Sequence, residues 1–126
     1  MEPVVSTPAH QTGPAQVQAV PPGCVCPDFH AAIELIGKRW TGAIVSALTE
    51  RPMRFGELRK AIPGLSDRLL SQRLRELEEE GLVQREVEAG TPVRVTYSLT
   101  EVGDGLGPAL GELKAWAKRW KCPDAA

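Results

Sequence analysis

Most of the groups that catalysis draws on are scarce or missing in this chain. Its 126 residues include only two histidines, His10 and His30, and three cysteines. There is no Gly-x-Ser-x-Gly elbow, no glycine loop of the kind that cradles phosphates, and no histidine pair at metal-binding spacing. These absences argue against an enzyme, and no catalytic residue or cofactor is assigned. Neither sign of charge dominates: 15 basic against 16 acidic side chains give a formal net charge of -1. The sum points to no polyanionic partner, although a sum hides local clustering. Long apolar runs are missing too. No segment approaches the length that spans a bilayer, and the N-terminus lacks the basic flank and apolar stretch of a signal peptide. The expectation is a cytoplasmic protein with no membrane partner. An odd cysteine count without a secretory signal also argues against a disulfide framework.

What is present falls into a tail and a patterned remainder. Residues 1–23 hold five prolines, one charged residue (Glu2) and no aromatic, a composition that neither holds a helix nor buries an apolar face. They are read as a disordered tail, followed by one domain over 24–122 and a short tail at 123–126. The domain opens with a helix from Pro27 to Ile36, with Pro27 in its first turn and Phe29, Ile33 and Ile36 along one side. A second helix runs from about Trp40 to Glu50, with Trp40, Ile44 and Leu48 on one face and Pro52 as its stop. A third spans roughly Phe55 to Ala61, with Phe55, Leu58 and Ile62 inward, before Pro63-Gly64 turns the chain. A fourth covers residues 66 to about 80. Past Gly81 the period becomes two: Val83 and Val87, then Val93, Val95, Tyr97 and Leu99, alternate with polar neighbours, which predicts a β-hairpin. Thr100 can cap a last helix with the apolar stripe Val102, Leu106, Leu110, Leu113, Trp116, Ala117 and Trp120. Pro108 is expected to kink it, because the proline ring removes a backbone donor.

The fourth helix, "SDRLLSQRLRELEEEGLVQRE" with its continuation, is basic at its start and acidic at its end. At about 100° per residue, Leu70, Leu74 and Leu77 share one face with Leu69 beside them, and Arg68, Ser71, Gln72 and Arg75 share the other. Glu78 to Glu80 fall in the last turn. A recognition helix enters the major groove with its N-terminal residues, so cations and amides belong there and acids beyond it. Arg68 suits guanine O6 and N7, Gln72 suits adenine N6 and N7, and Ser71 and Arg75 suit base edges or phosphates. Between residues 51 and 75 seven basic side chains stand against two acidic ones. Arg54 and Ser66, within this segment, join the candidate double-stranded-DNA contacts. The alternative is an ordinary solvated helix with charges paired three and four residues apart, for instance Arg75 with Glu78 or Glu79. The order of elements favours DNA: short helix, Pro-Gly turn, arginine-faced helix, then a hairpin. That order is a winged helix-turn-helix, mainly α with a small β-hairpin (α+β). Arg94, beside the hairpin tip, is placed to meet phosphate or a minor groove, or is an exposed strand arginine. A winged helix that binds protein instead would carry an apolar outer face at residues 66–75.

Several separated motifs, "CPDFHAAIELIGKRW", "RFGEL", "PGLS", "LRELEEEGLV" and "YSLTEVG", occur in one order. Together they resemble the HxlR family of bacterial winged helix-turn-helix transcription regulators, related in architecture to the MarR group, over about residues 26–120. The resemblance implies a homodimer built by the first and last helices, and two recognition helices on a pseudo-palindromic operator. Phe29, Ile33, Leu106, Leu110, Leu113, Trp116 and Trp120 are its candidate interface. Independently, Trp116 and Trp120 exceed what so small a chain easily covers, unless they fold back onto its own core. Where the family often has two glycines, this chain has Gly37-Lys38, which offers Lys38 and Arg39 as further phosphate contacts. Architecture and family together suggest a repressor.

"GCVCPDFH" gathers Cys24, Cys26 and His30, and Cys122 follows the last helix. Cys26 stands where many family members carry an N-terminal cysteine that senses oxidants or electrophiles. A thiol beside a helix N-terminus reacts more readily, so Cys26 is the leading sensor candidate, with Cys24 and Cys122 as further candidates. The alternatives are a reduced interface cysteine, or a regulator whose inducer is a small molecule. The three cysteines and His30 number enough for zinc, but the paired C-x₂₋₄-C knuckles are missing, and no metal site is assigned.

Overall fold

A computed structural model of the chain describes residues 23–122. The tails read at 1–23, apart from Gly23, and at 123–126 lie outside the described residues. The chain divides into two compact units between Ile33 and Glu34. The first ends in α1 (Pro27–Ile36), which crosses the division and buries none of its residues.

The second unit holds α2 (Thr41–Glu50), β1 (Met53–Arg54), α3 (Phe55–Ala61), α4 (Asp67–Glu79), β2 (Val83–Glu88), β3 (Arg94–Leu99), α5 (Glu101–Asp104) and α6 (Gly107–Lys121). Three antiparallel strands form a sheet in the order β1-β3-β2. In register, Val83 faces Leu99, Glu88 faces Arg94, and Met53 faces Tyr97. The mixed α and β class and the winged helix-turn-helix are as expected. The hairpin gains a third strand, however, because Met53 and Arg54 pair with β3 just before α3.

The core is built from the residues whose spacing marked them. Ile44, Leu58, Leu70 and Leu77 are fully buried, and Leu74 and Leu65 nearly so. Burying a leucine contributes about 1.5–3 kcal/mol, so the three leucines of α4 fix which way its opposite face points. Ser66 caps α4, its Oγ accepting from Leu69 N at 3.2 Å. At the other end Gly81, at φ 82°, lets Leu82 N reach back to Leu77 O at 3.0 Å and Gly81 N to Glu78 O at 3.0 Å. That paired ending needs a left-handed residue, for which glycine is suited.

Three expectations are corrected. The helix expected from Trp40 begins at Thr41, and Trp40 sits before it at φ 77°, half-buried against the core. The long last helix is two: α5 ends at Asp104, and Pro108 lies in the first turn of α6, where no backbone donor is required, so it starts a helix and kinks none. The terminal stripe also divides. Leu110 is buried and Leu106, half-buried, packs on the protomer's own core, whereas Val102 is 69% exposed. Thr100 does cap, but caps α5, its Oγ1 accepting from Gly103 N at 3.1 Å.

Candidate nucleic-acid interface

On α4 the residues opposite Leu70, Leu74 and Leu77 are Arg68, Ser71, Gln72 and Arg75, and all four are exposed. Of the basic cluster around them, several members are already engaged within the protein. Arg59 pairs with Asp67. Arg51 lies 3.4 Å from Glu57, and Arg73 lies 3.1 Å from Glu76. Among the described residues Arg54, Lys60, Arg68 and Arg75 enter no ion pair, which leaves their charge to solvent or a ligand. The pairing considered between Arg75 and Glu78 or Glu79 does not form; the pair three residues apart is Arg73 with Glu76.

Arg54 precedes α3 in extended backbone, and its N–H donates to Glu57 Oε1 at 2.9 Å. A guanidinium has no acceptor to return that bond, so the Arg54 side chain stays exposed. The Arg54 backbone donor, with Arg51 beside it, holds the Glu57 carboxyl below the ordinary glutamate value. Ser66 contributes its Oγ to the cap, so only its hydroxyl proton remains for a phosphate. Arg94 begins β3, exposed and opposite Glu88, without an ion pair to it.

Sequence reasoning placed Lys38 and Arg39 as phosphate contacts, and the structure engages both elsewhere. Lys38 Nζ lies 3.5 Å from Glu76 Oε1, and the Arg39 guanidinium lies 5.1 Å from the Trp40 ring centroid. The Arg39 carbonyl accepts from Arg73 Nε at 2.9 Å. A clamp thus joins the turn before α2 to the flank of α4. Partial burial raises the Glu76 carboxyl, but Gln72, Lys38 and Arg73 outweigh it, and the net displacement is downward. The pattern of apolar spacing carries no trace of this clamp.

Arg85 was also missed. It lies with Ser71, Leu74, Arg75, Glu78 and Tyr97 around a shallow depression between α4 and the wing. Its signal was available, since Arg85 falls in phase with Val83 and Val87, on the face that alternation reserves for apolar side chains.

The other candidate residues are distributed over the two units. In the first, Cys24 is exposed, Cys26 is half-buried just ahead of Pro27, and Cys26 O accepts from His30 N at 2.9 Å. Phe29 and Ile33 are 59% and 50% exposed. In the second, Cys122 is exposed, as are Leu113, Trp116 and Trp120. The two indoles stack on each other with centroids 5.3 Å apart, outside the core. No three His, Cys, Asp or Glu side chains among the described residues gather as a metal site.

A helix pair joined by a tight turn, with its second helix presenting arginines and amides beside an antiparallel wing, defines a winged helix-turn-helix protein. Residues 35–125 match the family described as HxlR-like helix-turn-helix, and the chain belongs to that family of transcriptional regulators. It is 48% identical over 99 residues to the uncharacterised HTH-type transcriptional regulator YvaP of Bacillus subtilis, covering 79% of this chain and 92% of that one. It is 43% identical over 96 residues to the B. subtilis regulator YodB, covering 76% and 86% respectively. The solved structure of reduced YodB aligns with a TM-score of 0.71 at 42% identity, over 79% of this chain and 98% of that one. The redox regulator HypR, in its reduced form, aligns with a TM-score of 0.72 at 35% identity, over 75% and 94%.

Proposed function

We propose that this regulator is a sequence-specific repressor that binds a pseudo-palindromic operator as a homodimer and works by binding, without catalysis. Residues 24–122 act as its DNA-binding and dimerisation domain, in the cytoplasm where the DNA is. The observation that carries the reading is the outward face of α4: Arg68, Ser71, Gln72 and Arg75 are exposed together while its leucines are buried. Arg68 and Gln72 read base edges, Ser71 and Arg75 serve edges or phosphates, and Arg54, Ser66 and Arg94 hold the backbone. A protein-docking winged helix would present an apolar face there, and this one is polar.

Thiol chemistry is the proposed signal, centred on Cys26. YodB is known in reduced, diamide-treated and quinone-bound forms, and HypR in reduced and oxidised forms, which supports the same class of input here. With a quinone, Cys26 Sγ adds to a ring carbon; one C–S bond forms as a C=C π bond is lost, the thiol proton passes to one carbonyl oxygen, and the hydrogen of the attacked carbon moves to the other, giving a hydroquinone thioether. With diamide, two thiols lose two protons and two electrons to the diazene, giving one disulfide and one hydrazine.

Selection from genomic fragments, run in parallel with reduced and quinone-treated protein, tests both parts. Reduced protein should enrich fragments sharing an inverted repeat, treatment should abolish the enrichment, and Cys26→Ser should resist treatment. No shared sequence from reduced protein defeats the DNA reading. Enrichment that survives quinone and diamide defeats the thiol signal alone.

A further inference from the structure

Glu76 lies one turn beyond Gln72 on α4, and its carboxylate meets the side chains of Gln72, Arg73 and Lys38. Oε1 accepts from Arg73 Nη1 at 3.1 Å and lies 3.5 Å from Lys38 Nζ; Oε2 accepts from Arg73 Nη1 at 3.3 Å and from Gln72 Nε2 at 3.3 Å. Its side chain is only 25% exposed, and that of Arg73 only 14%. Arg73 is itself held from the turn before α2, since its Nε donates to Arg39 O at 2.9 Å. The carboxylate is therefore fixed from a neighbouring element and is more than an exposed partner on the same helix.

This matters for Gln72 because the two ends of a carboxamide are not equivalent. A carboxylate can only accept, so the end of Gln72 turned toward Glu76 must be the NH₂. The flipped amide would set a carbonyl oxygen against a carboxylate oxygen, two acceptors facing each other. Gln72 is thereby left with Oε1 and one N–H of Nε2 to offer, in one fixed order along the groove. Adenine presents N6–H and N7 in one order, and the same base on the opposite strand presents them in reverse. A freely flipping carboxamide suits both orders, and a fixed one suits only one.

We propose that Glu76 is a positioning residue for base recognition: clamped by Lys38 and Arg73, it fixes the donor and acceptor order of Gln72 and so selects one orientation of one base pair. The proposal rests on the reading of α4 as the recognition helix.

The test uses the full chain and its operator, with all four base pairs substituted in turn at each position. Gln72→Ala first locates the position that Gln72 reads, by flattening preference there. Glu76→Met keeps side-chain length and removes the acceptor. It should reduce discrimination at that position by about fivefold or more, while affinity for random DNA stays within about twofold. Glu76→Gln, whose carbonyl still accepts, should restore the preference, and Gln72→Ala with Glu76→Met should be no flatter than Gln72→Ala alone. Full discrimination in Glu76→Met, or an equal loss on every sequence, overturns the role of Glu76. A measurement on the wild-type protein covers failure of that variant to fold: the NMR shift difference between the two Gln72 carboxamide protons should exceed that of a solvent-exposed glutamine and fall toward that value when Glu76 is protonated. A difference that stays at the exposed-glutamine value throughout the acid titration overturns the proposal. If Gln72→Ala flattens no position, the reading of α4 itself fails, which is a separate result.

Discussion

Arg68 and Arg94 carry the same charge and are exposed alike, yet the proposed DNA reading gives them different work. Arg68 lies in the first turn of α4 beside Ser71 and Gln72, where on that reading its guanidinium meets a base edge, and a bidentate contact would distinguish guanine from other bases. Arg94 starts β3 at the hairpin end, away from the helix, where backbone phosphate is the expected contact. Arg68→Ala should therefore cost about 1–3 kcal/mol on the operator and relax preference at one position. Arg94→Ala should weaken operator and random DNA alike and lower the slope of log affinity against log salt by about one. Titrations of both DNAs over a salt series separate the two; equal losses on both DNAs for both variants would refute the division of labour. The residues carrying this prediction were legible in the sequence, because a period of 3.6 places them opposite leucines and needs only the chain itself. Glu76 was not legible in that way. Its partner Lys38, and Arg39 whose carbonyl holds Arg73, come from the turn before α2, more than thirty positions earlier, and only the folded arrangement brings them to α4.

Two joints between elements hold the recognition helix and wing in place. At the first, Leu82 O accepts from Thr100 N at 3.0 Å, and Gly103 of α5 approaches so closely that a Cβ there would overlap the same carbonyl oxygen. It would also lie 3.1 Å from Leu99 Cδ2. Backbone cannot yield as a side-chain tip does, so Gly103→Ala should destabilise the protein by about 1–3 kcal/mol, read as a lowered denaturation midpoint. An unchanged midpoint would show that α5 moves freely from the strands. At the second joint, the left-handed Trp40, a conformation costing of order 1–3 kcal/mol, is secured on one side by the core and on the other by the bond from Arg73 to the Arg39 carbonyl. Since the Glu76 carboxyl lies below the ordinary glutamate value in the folded protein, its contribution is complete above that ordinary value. It is lost as pH falls through the lowered one. The stability gap between wild type and Glu76→Gln should accordingly be present near neutrality and close in acid; a gap independent of pH removes the clamp from the account. Helix boundaries such as Pro27–Ile36 and Phe55–Ala61 could be read from prolines, glycines and spacing. Strand β1 could not, because two residues have no periodicity and are ordered by pairing with β3. The break before α6 was concealed by an unbroken apolar stripe, and only the position of Pro108 within a first turn distinguishes a start from a kink.

At the scale of the molecule, large apolar side chains stand exposed on α1 and on α6, as the proposed homodimer requires. Leu113, Trp116 and Trp120 on α6 are each half or more exposed, and so, in the other unit, are Phe29 and Ile33 on α1. Leu106 and Leu110 show the contrast, since they sit on the same terminal segment and complete the protomer's core. The earlier alternative, tryptophans folded back onto that core, would have buried them; instead they stack on one another in the open. Covering such a face is what a second copy of the chain would do, and two copies are what a pseudo-palindromic operator demands. Leu113→Glu with Trp116→Arg should give a folded monomer, because neither side chain supports the core. Its affinity for the full operator should fall roughly 100-fold or more, since the second half-site no longer binds as part of the same particle. Binding to an isolated half-site, where one α4 suffices, should change little. Sedimentation together with the two affinities decides the matter. A variant that remains dimeric puts the interface elsewhere, and one that unfolds returns Leu113 and Trp116 to the protomer's interior.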